Sequence, residues 1–128
     1  SLLAWLAGLP LQKVVVLHAN HANELDAGVD AACAALRETG ATLLNQSVLL
    51  RGVNDDADAL ANLSERLFAA GVLPYYLHQL DRVHGTAHFE VADDTALALL
   101  DTLRARLPGY LVPRLVREVA GDPAKRPL

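Results

Sequence analysis

Apolar and polar positions alternate along this chain in blocks rather than singly. Three apolar runs, residues 14–17, 43–50 and 73–80, each end in a compact polar cluster, at 18–24, 51–55 and 81–88. Between them lie segments with helical spacing. Leu25, Val29, Ala32, Cys33 and Leu36 mark a helix over 25–39, closed by Gly40. Leu60, Leu63 and Leu67 mark a second over 56–70, closed by Gly71. Leu97, Leu100, Leu103 and Leu107 mark a third over 93–107, with Pro108 beyond. The apolar runs predict strands over 13–17, 42–50 and 72–80, and Pro74 falls near a strand start, where a missing amide matters least. Residues 1–9 read as the end of a helix stopped by Gly8 and Pro10. Residues 111–116 read as a short extended segment followed by a polar, Pro-rich tail.

Strand and helix in strict alternation imply an α/β fold with three βα units, parallel strands and right-handed crossovers. Three or four parallel strands are too few to close a barrel. The alternatives are a small open sheet or one half of a (β/α) barrel. Either leaves a sheet edge that self-association through a second copy would cover. In both, working residues belong in the loops at the carboxyl ends of the strands.

The bulk numbers narrow the class. A chain of 128 residues fits one domain with a real core, and 52% hydrophobic with 20% charged residues is a globular balance. A net charge of −4 argues against a nucleic-acid partner. No apolar stretch approaches the roughly 20 residues of a membrane span, and the opening apolar segment does not read as a signal peptide. A lone Cys33 excludes an intrachain disulfide and a cysteine-based metal cluster built by this chain alone, and it fits a reducing, cytoplasmic setting. Met is absent, including at the start, so a fragment of a longer protein is an open reading.

Several residues stand out chemically. His18-x-x-His21 could ligate a metal, with His84 and His88 as further ligands, or the side chains of this loop, with Asn20, Asn23 and Glu24, could hydrogen-bond neighbouring backbone and cap the following helix. Asn45 and Gln46 interrupt an apolar strand. A buried amide needs partners, since an unsatisfied one costs roughly 1–3 kcal/mol, so either a ligand or a neighbouring group must meet them. Asn54, Asp55 and Asp56 read as a turn and helix cap. Tyr75, Tyr76, His78, Gln79 and Asp81 make the third strand unusually polar. Asp81, at its carboxyl end, could hold a cationic substrate group or pair with Arg82. By spacing alone Lys125 is an ordinary tail lysine and Cys33 a small core residue.

Taken in order, Leu17-His-Ala-Asn-His-Ala-Asn-Glu24, Leu44-Asn-Gln-Ser-Val-Leu-Leu-Arg-Gly-Val-Asn-Asp55, Pro74-Tyr-Tyr-Leu-His-Gln-Leu-Asp81 and His88-Phe89 resemble the carboxyl-terminal half of the lysine 2,3-aminomutase family. These are radical S-adenosylmethionine enzymes that also use pyridoxal phosphate. The tail, Val112-Pro-Arg-Leu-Val-Arg-Glu-Val-Ala-Gly-Asp-Pro-Ala-Lys125, resembles the branch that provides β-lysine for elongation factor P.

The resemblance implies half of a radical-SAM partial (β/α) barrel over 1–109 and a segment carrying the cofactor lysine over 110–128. Lys125 matches the lysine that forms the internal aldimine with pyridoxal phosphate. Asp81 and Glu118 match carboxylates that bind the ε-ammonium of substrate L-lysine. Gln46, with His18 and His21, matches the S-adenosylmethionine region. In the family, a 5′-deoxyadenosyl radical takes a hydrogen from C3 of lysine, and the amino group moves from C2 to C3. A separate ligase would then attach the β-lysine to elongation factor P.

Two departures stand beside the match. The lysine-fermenting aminomutases carry a glycine run and an aspartate in this tail, where this chain has Gly121-Asp-Pro-Ala before Lys125 and Glu118 in place of the aspartate. The Cys-x-x-x-Cys-x-x-Cys loop that binds the [4Fe–4S] cluster is absent from the chain, so the cluster ligands would lie outside it, no metal site is expected here, and the segment alone is expected to be inactive. A metal-dependent hydrolase built on the histidines, and a non-catalytic structural fragment, are the rival readings.

Overall fold

The computed structural model of the chain describes residues 1–80, 87–118 and 125–128. Helix α1 spans Leu2–Gly8, and strand β1 spans Val14–Leu17. A 3₁₀ turn at Ala22–Glu24 precedes α2, Ala27–Glu38. Then come β2, Thr42–Val48; α3, Ala57–Ala69; and β3, Leu73–His78. A second 3₁₀ turn at Ala87–Phe89 leads to α4, Asp93–Arg106. A third at Gly109–Leu111 leads to β4, Arg114–Glu118, and β5 is Lys125–Pro127.

The five strands form one sheet in the order β1-β2-β3-β4-β5. The first four are parallel, and β5 returns antiparallel to β4. Sequential order with right-handed crossovers puts α2, α3 and α4 on the same side, as in a barrel wall rather than a doubly wound sheet. Burial in β2 follows from this. Leu43, Asn45, Ser47 and Leu49 point into the helix layer and are buried, whereas Leu44, Gln46 and Val48 point to the uncovered face and are half-buried. The partial (β/α) barrel is therefore the architecture.

Two apolar clusters fill the space between sheet and helices. One gathers Leu25, Cys33, Leu43, Leu63, Leu67 and Val72 around α2, β2 and α3. The other gathers Leu49, Leu60, Leu77, Leu100, Leu103 and Leu115 around α3, α4 and the last parallel strands. The helices start where side-chain caps are available. Asp26 Oδ1 accepts from Val29 N at 2.9 Å, and Asp56 Oδ1 accepts from Ala59 N at 2.7 Å. Gly71, at φ +82°, closes the turn from α3 into β3, and a Cβ there would strike the Arg37 guanidinium that lies across it. The Lys13 ammonium ties α1 to α2 by donating to Leu6 O at 2.9 Å and Thr39 O at 2.6 Å.

Three details differ from the sequence reading. Leu97 is exposed, because α4 buries Ala96, Leu100 and Leu103 instead. The polar tail ends in a strand, because residues 125–127 find the free edge of β4. A register shift lies between Asn45 and Gln46, which face Pro74 and Tyr76. Tyr75 is the extra residue, and the bulge falls beside a proline that has no amide for the ladder. At the other end, among the described residues β1 pairs with β2 alone, and Val14 and Val16 are 58% and 39% exposed.

Candidate active site

The sheet face that no described helix covers gathers Gln46, Tyr76, His78 and Lys125. Gln46 of β2 lies in register with Tyr76 of β3, and Val48 with His78 and then Val116. The rings of Tyr76 and His78 meet edge-on with centroids 5.8 Å apart, and the bulge brings Tyr75 against Tyr76 at 4.3 Å. From β5, Lys125 reaches back over this face and sets its ammonium 5.5 Å from the centre of the Tyr76 ring. Lys125 is half-buried and stands opposite Glu118 in the β4–β5 register. Gln46 on β2, Tyr76 on β3 and Lys125 on β5 thus share one face, with β4 between the last two.

Lysine is scarce here. Lys13 and Lys125 are the two lysines of the chain. Lys13 is held between helix carbonyls, where its donors serve the ends of α1 and α2. Lys125 is the lysine on the uncovered face.

The loop after β1 is bolted down by amide side chains. Backbone pairing of β1 with β2 ends at Leu17 and Asn45. Beyond it, Asn45 Oδ1 accepts from Ala19 N at 2.9 Å while Asn45 Nδ2 donates to Ala19 O at 3.0 Å. Asn20 Oδ1 accepts from Val48 N at 2.9 Å. Asn54, fully buried, donates to Asn20 O at 2.8 Å and to Val48 O at 2.9 Å, and accepts from Leu50 N at 2.8 Å. Of the two amides in β2, Asn45 therefore meets a neighbouring backbone group. Gln46, on the other face, is half-buried beside Tyr76.

The histidines separate in the same way. His18 is exposed at the end of β1. His21 caps the following 3₁₀ turn: its Nδ1 accepts from Asn23 N at 3.1 Å, and Glu24 Oε2 accepts from His21 N at 3.0 Å and from Asn20 N. A ring nitrogen that accepts an amide proton is not available to a metal. His88 is exposed, and its carbonyl accepts from Arg51 Nη2 at 3.0 Å. Asp81 and His84 lie outside the described residues. Among the described residues no group of three or more His, Cys, Asp or Glu side chains could hold a metal ion.

Cys33 is 2% exposed within α2, on the helix side of the sheet, and burial pushes its thiol pKa up. A single buried thiol cannot supply a three-cysteine cluster loop. Below the loops, Gln79 Nε2 donates to Val91 O and to Asp93 Oδ1, which also accepts from Arg117 Nη2. The start of α4 is thereby fixed against β3 and β4. Sequence reasoning offered backbone hydrogen bonding for the loop that holds Asn20, as the contact of Asn20 Oδ1 with Val48 N bears out, but did not assign Asn54 its bolting role. Its signal was polarity in a position that ordinary loop composition also explains.

No family model matches the chain. It is 58% identical to the L-lysine 2,3-aminomutase of Escherichia coli (strain K12) over 118 residues, which is 92% of this chain and 34% of that protein. It is 52% identical to the L-lysine 2,3-aminomutase of Haemophilus influenzae over 120 residues, 94% of this chain and 36% of that protein. The L-lysine 2,3-aminomutase of Clostridium subterminale is 38% identical over 111 residues, 87% of this chain and 27% of that protein. Among solved structures, a radical SAM methyltransferase from Sphaerobacter thermophilus superposes with a TM-score of 0.60 at 23% identity, covering 91% of this chain and 37% of that one.

The fold is thus the mostly parallel α/β wall found in a radical SAM enzyme. By sequence the chain is similar to the L-lysine 2,3-aminomutases of Escherichia coli and Haemophilus influenzae. It spans about a third of the length of the curated relatives it matches.

Proposed function

We propose that the chain is the carboxyl-terminal part of a lysine 2,3-aminomutase that converts L-lysine to β-lysine. The observation that carries this reading is the placement of Lys125. Of two lysines, it is the one on the uncovered face, half-buried over Tyr76 and in register with Glu118. An amine beside a flat aromatic ring, on a face lined by polar side chains, fits pyridoxal phosphate. Gln46 and exposed His18, at adjoining strand ends, fit the polar contacts of S-adenosylmethionine. Bound there, the two cofactors supply, respectively, a carbonyl that condenses with amines and a 5′-deoxyadenosyl group.

The chain's own side chains then bind and orient. Lys125, whose ammonium lies beside the Tyr76 ring, would hold pyridoxal phosphate. Asp81 and Glu118 receive the ε-ammonium of lysine, two anions offsetting the desolvation of one cation and measuring side-chain length. Gln46 and His18 would contact S-adenosylmethionine, and His21 shapes that loop through its cap. The [4Fe–4S] cluster does not fit this chain, which has one cysteine.

The tail motif supports placing the enzyme in the branch that provides β-lysine for elongation factor P through a separate ligase. A cytoplasmic setting follows from that role. No described helix is long and apolar enough to cross a membrane. The open β1 edge favours self-association when the segment is produced alone.

The test is product formation. Full-length protein containing this segment, reconstituted anaerobically with iron, sulfide, pyridoxal phosphate and S-adenosylmethionine, is expected to form β-lysine from lysine, while the segment alone forms none. Absence of β-lysine from a cluster-loaded, pyridoxal-phosphate-loaded preparation would overturn the reading.

A further inference from the structure

Asn45 and Gln46 are consecutive, so their side chains leave β2 on opposite faces. Gln46 faces the candidate site. Asn45 faces the helix layer and takes both backbone groups of Ala19 at 2.9 and 3.0 Å, where the β1–β2 ladder has stopped. The carboxamide stands in for a backbone peptide. It satisfies Ala19 while carrying the chain out of the sheet plane toward the helices, where Ala19 is buried against Leu25 and Leu43. The next residue repeats the device in reverse, with Asn20 Oδ1 capping the amide of Val48 in β2. Asn54 closes the network from the following turn, holding both Asn20 O and Val48 O.

The consequence falls on His18. It sits between Leu17, the last residue in the ladder, and Ala19, clamped on both sides by Asn45. Its backbone is therefore fixed at both ends relative to β2, on the strand that presents Gln46. A plain ladder would have run β1 straight alongside Gln46. The amide bracket parts the strand ends without leaving a buried donor or acceptor unpaired.

We propose that Asn45, backed by Asn20 and Asn54, is a positioning residue for S-adenosylmethionine, setting the spacing between His18 and Gln46. This rests on the reading that those two residues flank the S-adenosylmethionine site.

The experiment compares Asn45→Ala, Asn20→Ala and Gln46→Ala in the full-length, cluster-reconstituted protein. Isothermal titration with S-adenosylmethionine gives affinity, circular dichroism reports folding, and steady-state assays separate the KM for S-adenosylmethionine from kcat. Asn45→Ala is expected to weaken S-adenosylmethionine binding about ten-fold, on the scale of one well-placed hydrogen bond. The KM for lysine and the pyridoxal phosphate absorbance are expected to hold. Asn20→Ala, a milder change, gives the same direction and decides the matter if Asn45→Ala does not fold. If Gln46→Ala weakens binding while the folded asparagine variants bind as wild type, the positioning role is wrong and the site reading survives. If Gln46→Ala itself binds as wild type, the site reading fails and the proposal falls with it.

Discussion

Lys125 of β5 places its ammonium 5.5 Å from the centre of the Tyr76 ring on β3, so the last strand of the sheet is tied across β4 to the middle of the uncovered face. The contact joins a cation to an aromatic face and lays the lysine stem on an apolar surface. Removing the ring by Tyr76→Ala is expected to cost on the order of 1 kcal/mol and to raise amide exchange in β5, whereas Tyr76→Phe keeps both. Urea denaturation and hydrogen exchange check this. Unchanged exchange in β5 after Tyr76→Ala would show that the ring does not hold the strand.

Asn54 is a sharper test of the loop architecture. It is fully buried and serves three backbone groups from two loops. Asn54→Ala leaves those groups unpaired and is expected to destabilise the protein by about 3 kcal/mol. The same substitution at exposed Asn62 is expected to stay within about 0.5 kcal/mol. Chemical denaturation measures both.

The architecture was readable from the chain because it is written twice, in the apolar period and in the stops. Gly40 and Gly71 end helices where φ turns positive, and Asp26 and Asp56 begin them. Strand β5 was not readable. Lys125, Arg126 and Pro127 have no strand pattern of their own and become one by pairing with β4. The bulge at Tyr75 is likewise a property of two strands together. Asn45 and Gln46 look alike in sequence, and only the side of the sheet separates the buried loop bolt from the half-buried amide on the opposite face. The likeness of the tail to known aminomutases, rather than any local rule, is what singled out Lys125.

Asp30 on α2 and Arg66 on α3 form a two-pronged ion pair, with both contacts at 2.8 Å. The Arg66 hydrogen bond, with its charge, holds the Asp30 carboxyl below the usual aspartate range. An unfolded aspartate takes up its proton at higher pH than the folded one, so the pair stabilises the fold above the ordinary aspartate pKa. That stability is lost as pH falls through the depressed value. Both side chains are partly open to water, so the effect is small. In acid titrations of thermal stability, Asp30→Asn is expected to lose this component. An Asp30→Asn profile that overlays wild type throughout would show that the pair contributes nothing.

Val14 and Val16 leave an apolar, hydrogen-bonding edge on β1. The segment produced alone is expected to self-associate in light scattering, and Val16→Lys to shift it toward monomer, because an edge charge opposes strand pairing. A monomeric wild-type segment at high concentration would remove the idea that this edge is adhesive.

The central claim is that Lys125 is the lysine that carries pyridoxal phosphate. Borohydride reduction of the full-length protein loaded with pyridoxal phosphate, followed by peptide mapping, tests it most directly. Stoichiometric pyridoxyl label on Lys125, absent in Lys125→Ala together with the visible absorbance of the bound cofactor, is the expected result. Stoichiometric label on Lys13 or on a lysine outside this segment, with Lys125 unmodified, would contradict it.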